Sequence, residues 1–176
     1  GGLQRLSGRI TSASEDTNML LQYLAESGVD IPDSPYIRFS LESAQAVSQA
    51  IEQAIVDGRI TEAELFSDHY APIPGTDPEQ YTHPVQAVMI PAARVRQEMA
   101  RGYTGLFGMT FTDRNAFGAV AMPERAHPQR MGDSVWNAEH SRQGLIFDFP
   151  DTRDQCRITE PLCIKAYRRP TADGAA

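Results

Sequence analysis

The chain has 176 residues, 41% of them hydrophobic and 22% charged, which is the composition of one ordinary globular domain able to bury its own core. Its net charge of −7 makes nucleic acid and anionic membrane surfaces poor partners. No apolar run approaches the length of a membrane span, so we expect no direct insertion into a membrane.

Residues 1–28 are predicted to form a coiled-coil-like signalling helix. Their apolar side chains recur at alternating spacings of three and four residues, the pattern of a helix that packs against another helix. The positions are Leu3, Leu6, Ile10, Ala13, Thr17, Leu20 and Leu24. An isolated helix of this length needs a packing partner to be stable. We therefore expect a homodimer through this helix, with an amphipathic helix packed on its own domain as the alternative.

Residues 29–102 are predicted to be helical segments around a Pro-rich loop. The first helix should run from about residue 37 to 57, with Gly58 as its stop. Its predicted buried face consists of Ile37, Leu41, Ala44, Val47, Ile51 and Ile55. Thr61 and Glu64 match a capping box, which opens a short helix.

Prolines and a glycine in residues 68–78 predict an ordered loop or a hinge. Asp77 is placed to cap a third helix that starts at Pro78 and ends near Gly102. Because Pro84 and Pro91 lie inside this helix, the sequence predicts a kink or a break between them.

Residues 103–176 carry strand patterns. Apolar and polar residues alternate over 109–113, and 117–122 is again extended. The turn formers Asp113, Arg114 and Asn115 lie between these two segments, so a hairpin is expected.

The rest of this segment predicts a short helix and a further strand. Asp133 can cap the helix, and Gly144 is placed to end it. Residues 162–167 then return as a strand. The predicted fold class is α+β: long N-terminal helices precede an antiparallel sheet with a short helix over it, the construction of a PAS- or Cache-like sensory domain.

Several blocks of the sequence recur in the same order in a sensory region of bacterial methyl-accepting chemotaxis proteins. They are PIPGTDP at 72–78, DRN at 113–115, DSVWN at 133–137, Arg142 before IFD at 146–148, and YRR at 167–169. LAESGV at 24–29 and DSPYI at 33–37 also look like the segment that follows the signalling coiled coil of those receptors. The chain thus resembles these chemoreceptors from about residue 24 to 169.

The resemblance implies a cytoplasmic location, in a tail after the helical bundle that contacts the kinase, and makes that chemoreceptor signalling bundle a partner. The chain departs from these relatives in two places. Residues 119–127 lack the Thr-His-Asn sequence that follows the hairpin in relatives. Relatives also continue through two more strands, whereas this sequence stops after a turn signal at Asp173-Gly174. We therefore expect residues 103–176 to be a partial sensory domain, with an unpaired edge at 162–167 unless another chain or the N-terminal segment covers it.

Trp136, Asn137 and Arg142 are the predicted side of a ligand pocket, facing the strands at 109–113 and 162–167. An indole offers apolar area, and the two polar groups can orient a ligand. The alternative is structural: Trp136 fills the core between helix and sheet, while Asn137 and Arg142 bond nearby backbone carbonyls.

Arginines are frequent in the C-terminal half, and arginine is well suited to holding carboxylates. Asp113, Arg114, Tyr167 and Arg168 therefore complete the predicted ligand-binding set. A small molecule, in particular a carboxylate, is the expected ligand. The alternative is that these arginines form ion pairs with the aspartates of the same half.

The four histidines show no spacing typical of a metal site. A single histidine can hold haem iron, so His140 and His127 are the candidates if the unknown cofactor is haem. Cys156 and Cys163, with six residues between them, match neither a redox nor a zinc motif. We expect free thiols in a reducing cytoplasm, with a disulfide as the alternative.

The sequence has no nucleophile elbow, no phosphate loop and no catalytic cysteine motif, so we do not expect an enzyme. The favoured function is signal sensing: a small molecule binds and a conformational change passes to an attached helical bundle. The alternatives are a non-sensing dimerisation or scaffold module and a haem-based redox or gas sensor.

Overall fold

The computed structural model describes residues 15–165, and every structural statement below concerns this part of the chain. The fold is α+β, as predicted. These residues form two compact units, one made of residues 15–38 with 160–165, and the other of Phe39–Thr159. The division into three segments predicted from the sequence stays a prediction.

The first unit contains helix α1, which covers residues 15–26. It is followed by Gly28, whose φ of 72° is the left-handed conformation that often ends a helix. Among the positions predicted to pack against a second helix, Leu20 is 58% exposed. The positions within residues 1–14 lie outside the described residues. Met19 and Tyr23 are exposed beside Leu20, so α1 presents an apolar face to solvent.

Residues 162–165 of the same unit do not form the predicted strand. The side-chain amide of Gln22 on α1 instead bonds their backbone: its Nε2 donates to the Leu162 carbonyl at 2.9 Å, and its Oε1 accepts from the Ile164 N–H at 3.1 Å. A side chain of the N-terminal segment thus covers the backbone that was expected to be an open edge. Tyr167 and Arg168 of the predicted site lie outside the described residues.

Helix α2 covers Ser34–Val56 and therefore begins before the predicted residue 37. It ends as predicted, since Gly58 adopts a φ of 69° and the Arg59 N–H donates to the Ala54 carbonyl. The buried face was partly wrong, because Leu41 and Ala44 are exposed. Phe39, Ser43, Val47 and Ala54 are buried instead.

Ser43 explains this difference. Its hydroxyl donates to the Phe39 carbonyl at 2.6 Å and accepts from Nε of Arg96 at 3.0 Å. A serine whose hydrogen bonds are satisfied in this way can take a core position. A prediction of the buried face from hydrophobicity alone favours the nearby Leu41 over Ser43.

The capping box is confirmed: the Thr61 hydroxyl accepts from the Glu64 N–H, and the Glu64 carboxylate accepts from the Thr61 N–H, at the start of α3, Glu62–Leu65. The chain then forms an antiparallel pair of short strands, β1 (Ala71–Pro72) and β2 (Tyr81–Thr82). The regular sheet therefore lies in the segment predicted to be a loop and the start of a helix.

The predicted cap at Asp77 is wrong. The Asp77 N–H donates to the side chain of Gln129 at 2.7 Å, and residues 81–82 are used as strand β2. Helix α4 covers Gln86–Ala100 and starts where the Gln86 side chain accepts from the His83 N–H at 3.0 Å. Pro84 thus precedes the helix, whereas Pro91 lies within it. The predicted break inside a helix between the two prolines is wrong, because the helix begins only at Gln86 and continues through Pro91.

The predicted strands of the C-terminal half are present only as isolated pairs. Phe111 forms an antiparallel bridge with Val120, so the two segments of the expected hairpin meet at this pair, and Phe117 pairs with Ile146. Neither pair extends into a ladder. The polar side chains of α4 provide part of the reason, since the amide of buried Gln97 donates to the carbonyls of Met109 and Ala121. These carbonyls are bonded by a side chain in place of a neighbouring strand.

Helix α5 covers Ser134–His140 and is capped as predicted, because the Asp133 carboxylate accepts from the Trp136 N–H at 3.1 Å. The predicted end at Gly144 is wrong: the helix stops before Ser141, whose backbone pairs with Ala126. It therefore contacts the 3₁₀ helix Pro123–Arg125 and its following loop rather than a sheet.

A further helix, α6 (Pro150–Cys156), was not predicted and starts with a proline at its first turn. Cys156 and Cys163 are both free thiols. No helix in residues 15–165 combines the length and the apolar character needed to span a bilayer.

The core of the second unit lies between α2, α4 and residues 116–121. Its buried side chains include Val47, Ala54, Val88, Met89, Ala93, Phe117, Ala119 and Val120. Gly118 and Gly144 allow three backbone segments to approach each other here. The Gly144 N–H donates to the Gly118 carbonyl at 2.8 Å, and the Gly144 carbonyl accepts from the Tyr81 N–H at 2.8 Å.

Replacing Gly144 by alanine should strongly destabilise the protein. Gly144 has a φ of 82°, and an added Cβ would lie 2.5 Å from the Tyr81 carbonyl oxygen. We expect a loss of about 3 kcal/mol or more in the free energy of unfolding, from backbone strain and steric overlap together. Gly132→Ala is the matched control, since Gly132 has a φ of 77° with open space around it and should cost only about 1 kcal/mol. If urea unfolding shows the same loss in the free energy of unfolding for both variants, the close approach of Gly144 to Tyr81 is contradicted.

Candidate functional site

Asp113 closes the turn that joins the two paired segments of the C-terminal half. Its Oδ1 accepts from the backbone N–H groups of Asn115 at 2.8 Å and Phe117 at 3.0 Å. Its Oδ2 accepts from the Tyr70 hydroxyl at 2.5 Å. The carboxylate therefore fixes the turn and also attaches it to the segment after α3.

Arg114 and Asn115 attach the same turn to Asp68. The Asn115 side-chain amide donates to Asp68 Oδ1 and to the Tyr70 hydroxyl, both at 2.8 Å, and Nη2 of Arg114 lies 3.4 Å from Asp68 Oδ1. The hydrogen bond from Asn115, followed by that from Arg114, lowers the pKa of Asp68 below its ordinary value. Asp68 is thus an ionised partner of this turn at neutral pH.

Tyr70, His83 and Phe117 form an aromatic cluster beneath the turn, with the Tyr70 ring centroid 4.9 Å from Phe117 and 5.3 Å from His83. Nδ1 of the buried His83 accepts from the Val85 N–H at 3.2 Å, so Nε2 carries the proton and donates to the Ser67 carbonyl at 3.1 Å. These contacts assign His83 a structural role as a neutral imidazole.

A cavity of about 470 Å³ lies next to this turn. Helices α2, α3 and α4 wall it on three sides, and residues 112–115 close it on the fourth. Its lining includes two residues of the predicted site, Asp113 and Arg114. Cavities of this size hold small organic molecules.

A second cavity of about 580 Å³ lies on the other side of α3 and is more open to solvent. It is lined by Glu64, Ser67, His69, His83 and neighbouring residues of the two strands. None of the predicted ligand-binding residues contributes to it. We therefore take the smaller cavity as the candidate functional site.

Trp136 is half-buried and lies between two partners. The His140 imidazole stacks on the indole with centroids 4.6 Å apart, and the Arg130 guanidinium lies 3.6 Å from the ring centroid. His127 is 6.0 Å from the indole. Trp136 is absent from the lining of both cavities described above.

Asn137 is 2% exposed and ties three backbone groups together. Its side chain accepts from the Arg130 N–H at 2.7 Å and donates to the carbonyls of Arg130 at 2.9 Å and Asp77 at 3.0 Å. These are the contacts of a residue that orders two loops, as the structural alternative proposed.

Arg142 is half-buried, with its guanidinium 5.2 Å from the Phe147 ring centroid. The structure therefore divides the predicted site: Asp113 and Arg114 line the cavity, while Trp136, Asn137 and Arg142 belong to the α5 region. The binding roles of the latter three stay a prediction.

The helical walls of the cavity and the role of Tyr70 were not predicted from the sequence. The walls are Ser48, Ile51, Glu52 and Ile55 on α2, Glu62 and Leu65 on α3, Phe66 to Asp68 after it, and Val85 and Met89 near the start of α4. Ile51, Ile55, Leu65, Val85 and Met89 have the pattern of ordinary core residues, and the rest are polar or exposed. Phe66 follows the four-residue helix α3 and is 62% exposed in the structure, which its hydrophobicity alone does not predict.

Within residues 15–165 no group of three or more His, Cys, Asp or Glu side chains is arranged to hold a metal ion. Haem ligation by His140 or His127 stays a prediction; both imidazoles pack near Trp136. Comparison with known proteins adds no assignment, since no family, no curated protein and no solved structure matches the chain.

Tyr70 should remain protonated when exposed tyrosines ionise. Burial, followed by the hydrogen bond to Asp113, raises its pKa from 10 to about 12. Because the folded pKa is the higher one, this contribution to stability is fully present below pH 10 and is lost as the pH rises towards 12. In an ultraviolet titration, the tyrosinate absorbance of the wild type and of Tyr70→Phe should rise together as the pH increases. The two curves should separate only at the highest pH, where the last tyrosine of the wild type ionises. A difference that already appears near pH 10 would contradict the assignment.

Asn137→Ala should destabilise the protein whether or not a ligand is bound. The substitution removes three hydrogen bonds made by a side chain that is 2% exposed, which costs about 3 kcal/mol and lowers the melting temperature by roughly 5–10 °C. Glu139→Ala, at an exposed position of the same helix, should change the stability by no more than about 0.5 kcal/mol. A stable Asn137→Ala variant would favour a ligand-binding role for this residue instead.

Proposed function

We propose that this chain is a signal-sensing domain of a bacterial chemoreceptor, located in the cytoplasm, that binds a small molecule and passes a conformational change to an attached helical signalling bundle. The resemblance of its ordered sequence blocks to methyl-accepting chemotaxis proteins supports the assignment to these receptors. The role is one of binding rather than catalysis.

The observation that carries the sensing role is the cavity of about 470 Å³ beside the turn of Asp113 and Arg114. This turn is one of the blocks shared with the chemoreceptors, and the network of Asp68, Tyr70 and Asn115 holds it in place. A molecule bound here contacts three helices and the turn at once. It would therefore stabilise one relative arrangement of these elements over others.

Transmission of a signal requires only a small change in the free-energy difference between two conformations. Ligands that couple two sites typically do so with about 1–3 kcal/mol. The cavity wall includes Ser48, Ile51 and Ile55 on α2, the helix that connects the second unit to the preceding chain. A ligand acting on α2 is therefore well placed to influence the segment that leads to a signalling bundle.

The PAS- or Cache-like architecture is part of the proposal. It is supported by the pairing of Phe111 with Val120 and of Phe117 with Ile146, which is the arrangement of a hairpin beside a returning segment. The α+β class agrees with it, whereas α5 packs on the 3₁₀ helix Pro123–Arg125 rather than over a sheet.

A second candidate is a dimerisation or scaffold module without a ligand. The exposed apolar face of α1, formed by Met19, Leu20 and Tyr23, favours it. Such a face is stabilised when a second helix covers it. The two candidates agree on dimerisation and differ on the cavity.

Filling the cavity should abolish the response to ligands. In a thermal-shift screen of small organic molecules, a ligand at 100 times its Kd should add about 2.7 kcal/mol of stability and raise the melting temperature by roughly 5–10 °C. Ser48→Trp places bulk on the cavity wall at an exposed position and should remove this shift. Gln49→Trp, an exposed neighbour on α2 outside the lining, should retain it. If compounds shift both variants equally, the ligand site lies outside this cavity; if none shifts the wild type, the scaffold function is favoured.

Leu20→Glu should disrupt the homodimer. The substitution places a charge in an apolar face that is expected to be covered in the dimer, and burying an unpaired charge is costly. Sedimentation velocity should show dimers for the wild type and monomers for the variant. Gln49→Glu adds the same charge at an exposed position of α2 and should remain dimeric. A dimeric Leu20→Glu protein would place the interface elsewhere.

A further inference from the structure

We propose that the 470 Å³ cavity selects an organic cation, a molecule with an apolar body and one ammonium group. This inference rests on the proposed function in one respect, namely that the cavity is a ligand site. It specifies the class of ligand, which the resemblance to chemoreceptors leaves open.

The floor of the cavity suits an apolar body. Val85 is 4% exposed and Met89 is 8% exposed, and both contribute to its lining. Ile51, Ile55 and Leu65 are partly buried around them. A ligand with a hydrocarbon or aromatic portion gains free energy by covering these side chains, at about 25 cal/mol for each Å² removed from water.

The charged groups of the lining are mostly acidic. Four carboxylates, those of Glu52, Glu62, Asp68 and Asp113, stand against the one guanidinium of Arg114, so the lining has a formal net charge of −3. A cavity wall with one dominant sign attracts ligands of the opposite sign and repels those of the same sign. The whole chain is also acidic, at −7, which reinforces the attraction.

The hydrogen bonds of these carboxylates show which of them are available to a ligand. Asp113 is used by the turn, and Asp68 by Asn115 and Arg114. Glu52 accepts only a long bond of 3.4 Å from Ser48, and the Glu62 carboxylate has no side-chain partner among the described residues. Glu52 and Glu62 are therefore the groups that would pair with an ammonium.

Phe66 supplies a separate reason for a cation. Its ring lines the cavity and is 62% exposed, so a bound ligand can reach it. The face of an aromatic ring attracts a cation, and an ammonium group at this cavity can contact the ring and the carboxylates together.

A carboxylate ligand, which the arginines suggested, would meet a less favourable environment in this cavity. Arg114 is paired with Asp68, and the arginines of the α5 region lie on aromatic rings, Arg130 on Trp136 and Arg142 on Phe147. An anion in the cavity would have to displace Asp68 from Arg114 and approach Glu52 and Glu62.

Three probes of matched shape test the charge preference: 3-phenylpropylamine, 3-phenylpropan-1-ol and 3-phenylpropionate, each titrated calorimetrically into the full chain. We expect the amine to bind about tenfold more tightly than the propionate, with the alcohol between them, since each exposed charge pair contributes up to about fivefold. The difference should narrow when the salt concentration is raised from about 0.05 to 0.5 M.

The variant Glu52→Gln/Glu62→Gln removes the two available charges at exposed positions. We expect it to weaken amine binding about five- to tenfold and to leave the alcohol unchanged. Glu139→Gln, an exposed glutamate on α5 outside the cavity lining, is the matched control and should leave all three affinities as in the wild type. Circular dichroism of each variant verifies that the fold is retained.

The outcomes separate the two proposals. If the alcohol or the propionate binds at least as tightly as the amine, and Ser48→Trp abolishes that binding, the cation assignment is wrong while the sensing function stands. If the double variant weakens amine and alcohol equally, the charge argument is likewise overturned. If none of the probes binds, the cation assignment is rejected. The thermal-shift screen of small organic molecules on Ser48→Trp and Gln49→Trp then decides the sensing function separately.

Discussion

The Asp113 carboxylate holds the turn of residues 113–115 in place through three hydrogen bonds, two from backbone N–H groups and one from the Tyr70 hydroxyl. The position of the cavity wall depends on this carboxylate, because the turn that closes the cavity has no regular strand ladder to support it. Hydrogen bonds to an ionised acceptor are stronger than those between neutral groups, so one side chain can replace several ladder bonds. The same residue was proposed from the sequence as a ligand contact, and the structure assigns its oxygens to the fold.

Side chains replace backbone partners elsewhere in the molecule as well. Gln97 bonds the carbonyls of Met109 and Ala121, and Arg94 also donates to Ala121 and to the side chain of Gln143. This substitution explains why an alternating sequence pattern produces paired segments without a regular sheet. Alternation reports which side of the chain faces the core, but it does not report which group bonds the backbone.

Local signals in the sequence predicted local structure well, and long-range contacts limited the rest. The capping box at Thr61, the cap at Asp133 and the stop at Gly58 depend on neighbours within a few residues, and all three are confirmed. The predicted start of α4 was wrong because the side chain of Gln86, rather than that of Asp77, supports the first turn. Most of the cavity lining could not be predicted: Ile51, Val85 and Met89, for example, have the pattern of ordinary core residues and meet only in the folded chain.

The attachment of residues 162–164 to α1 through the amide of Gln22 has a mechanical consequence. A strand beside another strand is held by a series of bonds that must break together, whereas here one side chain supplies both bonds. Each is worth about 1 kcal/mol net, and rotation about the side-chain torsions of a single residue releases the pair without any change in the α1 backbone. Residues 162–164 can therefore detach from α1 in a single side-chain rearrangement, without the stepwise loss of bonds that separates two paired strands.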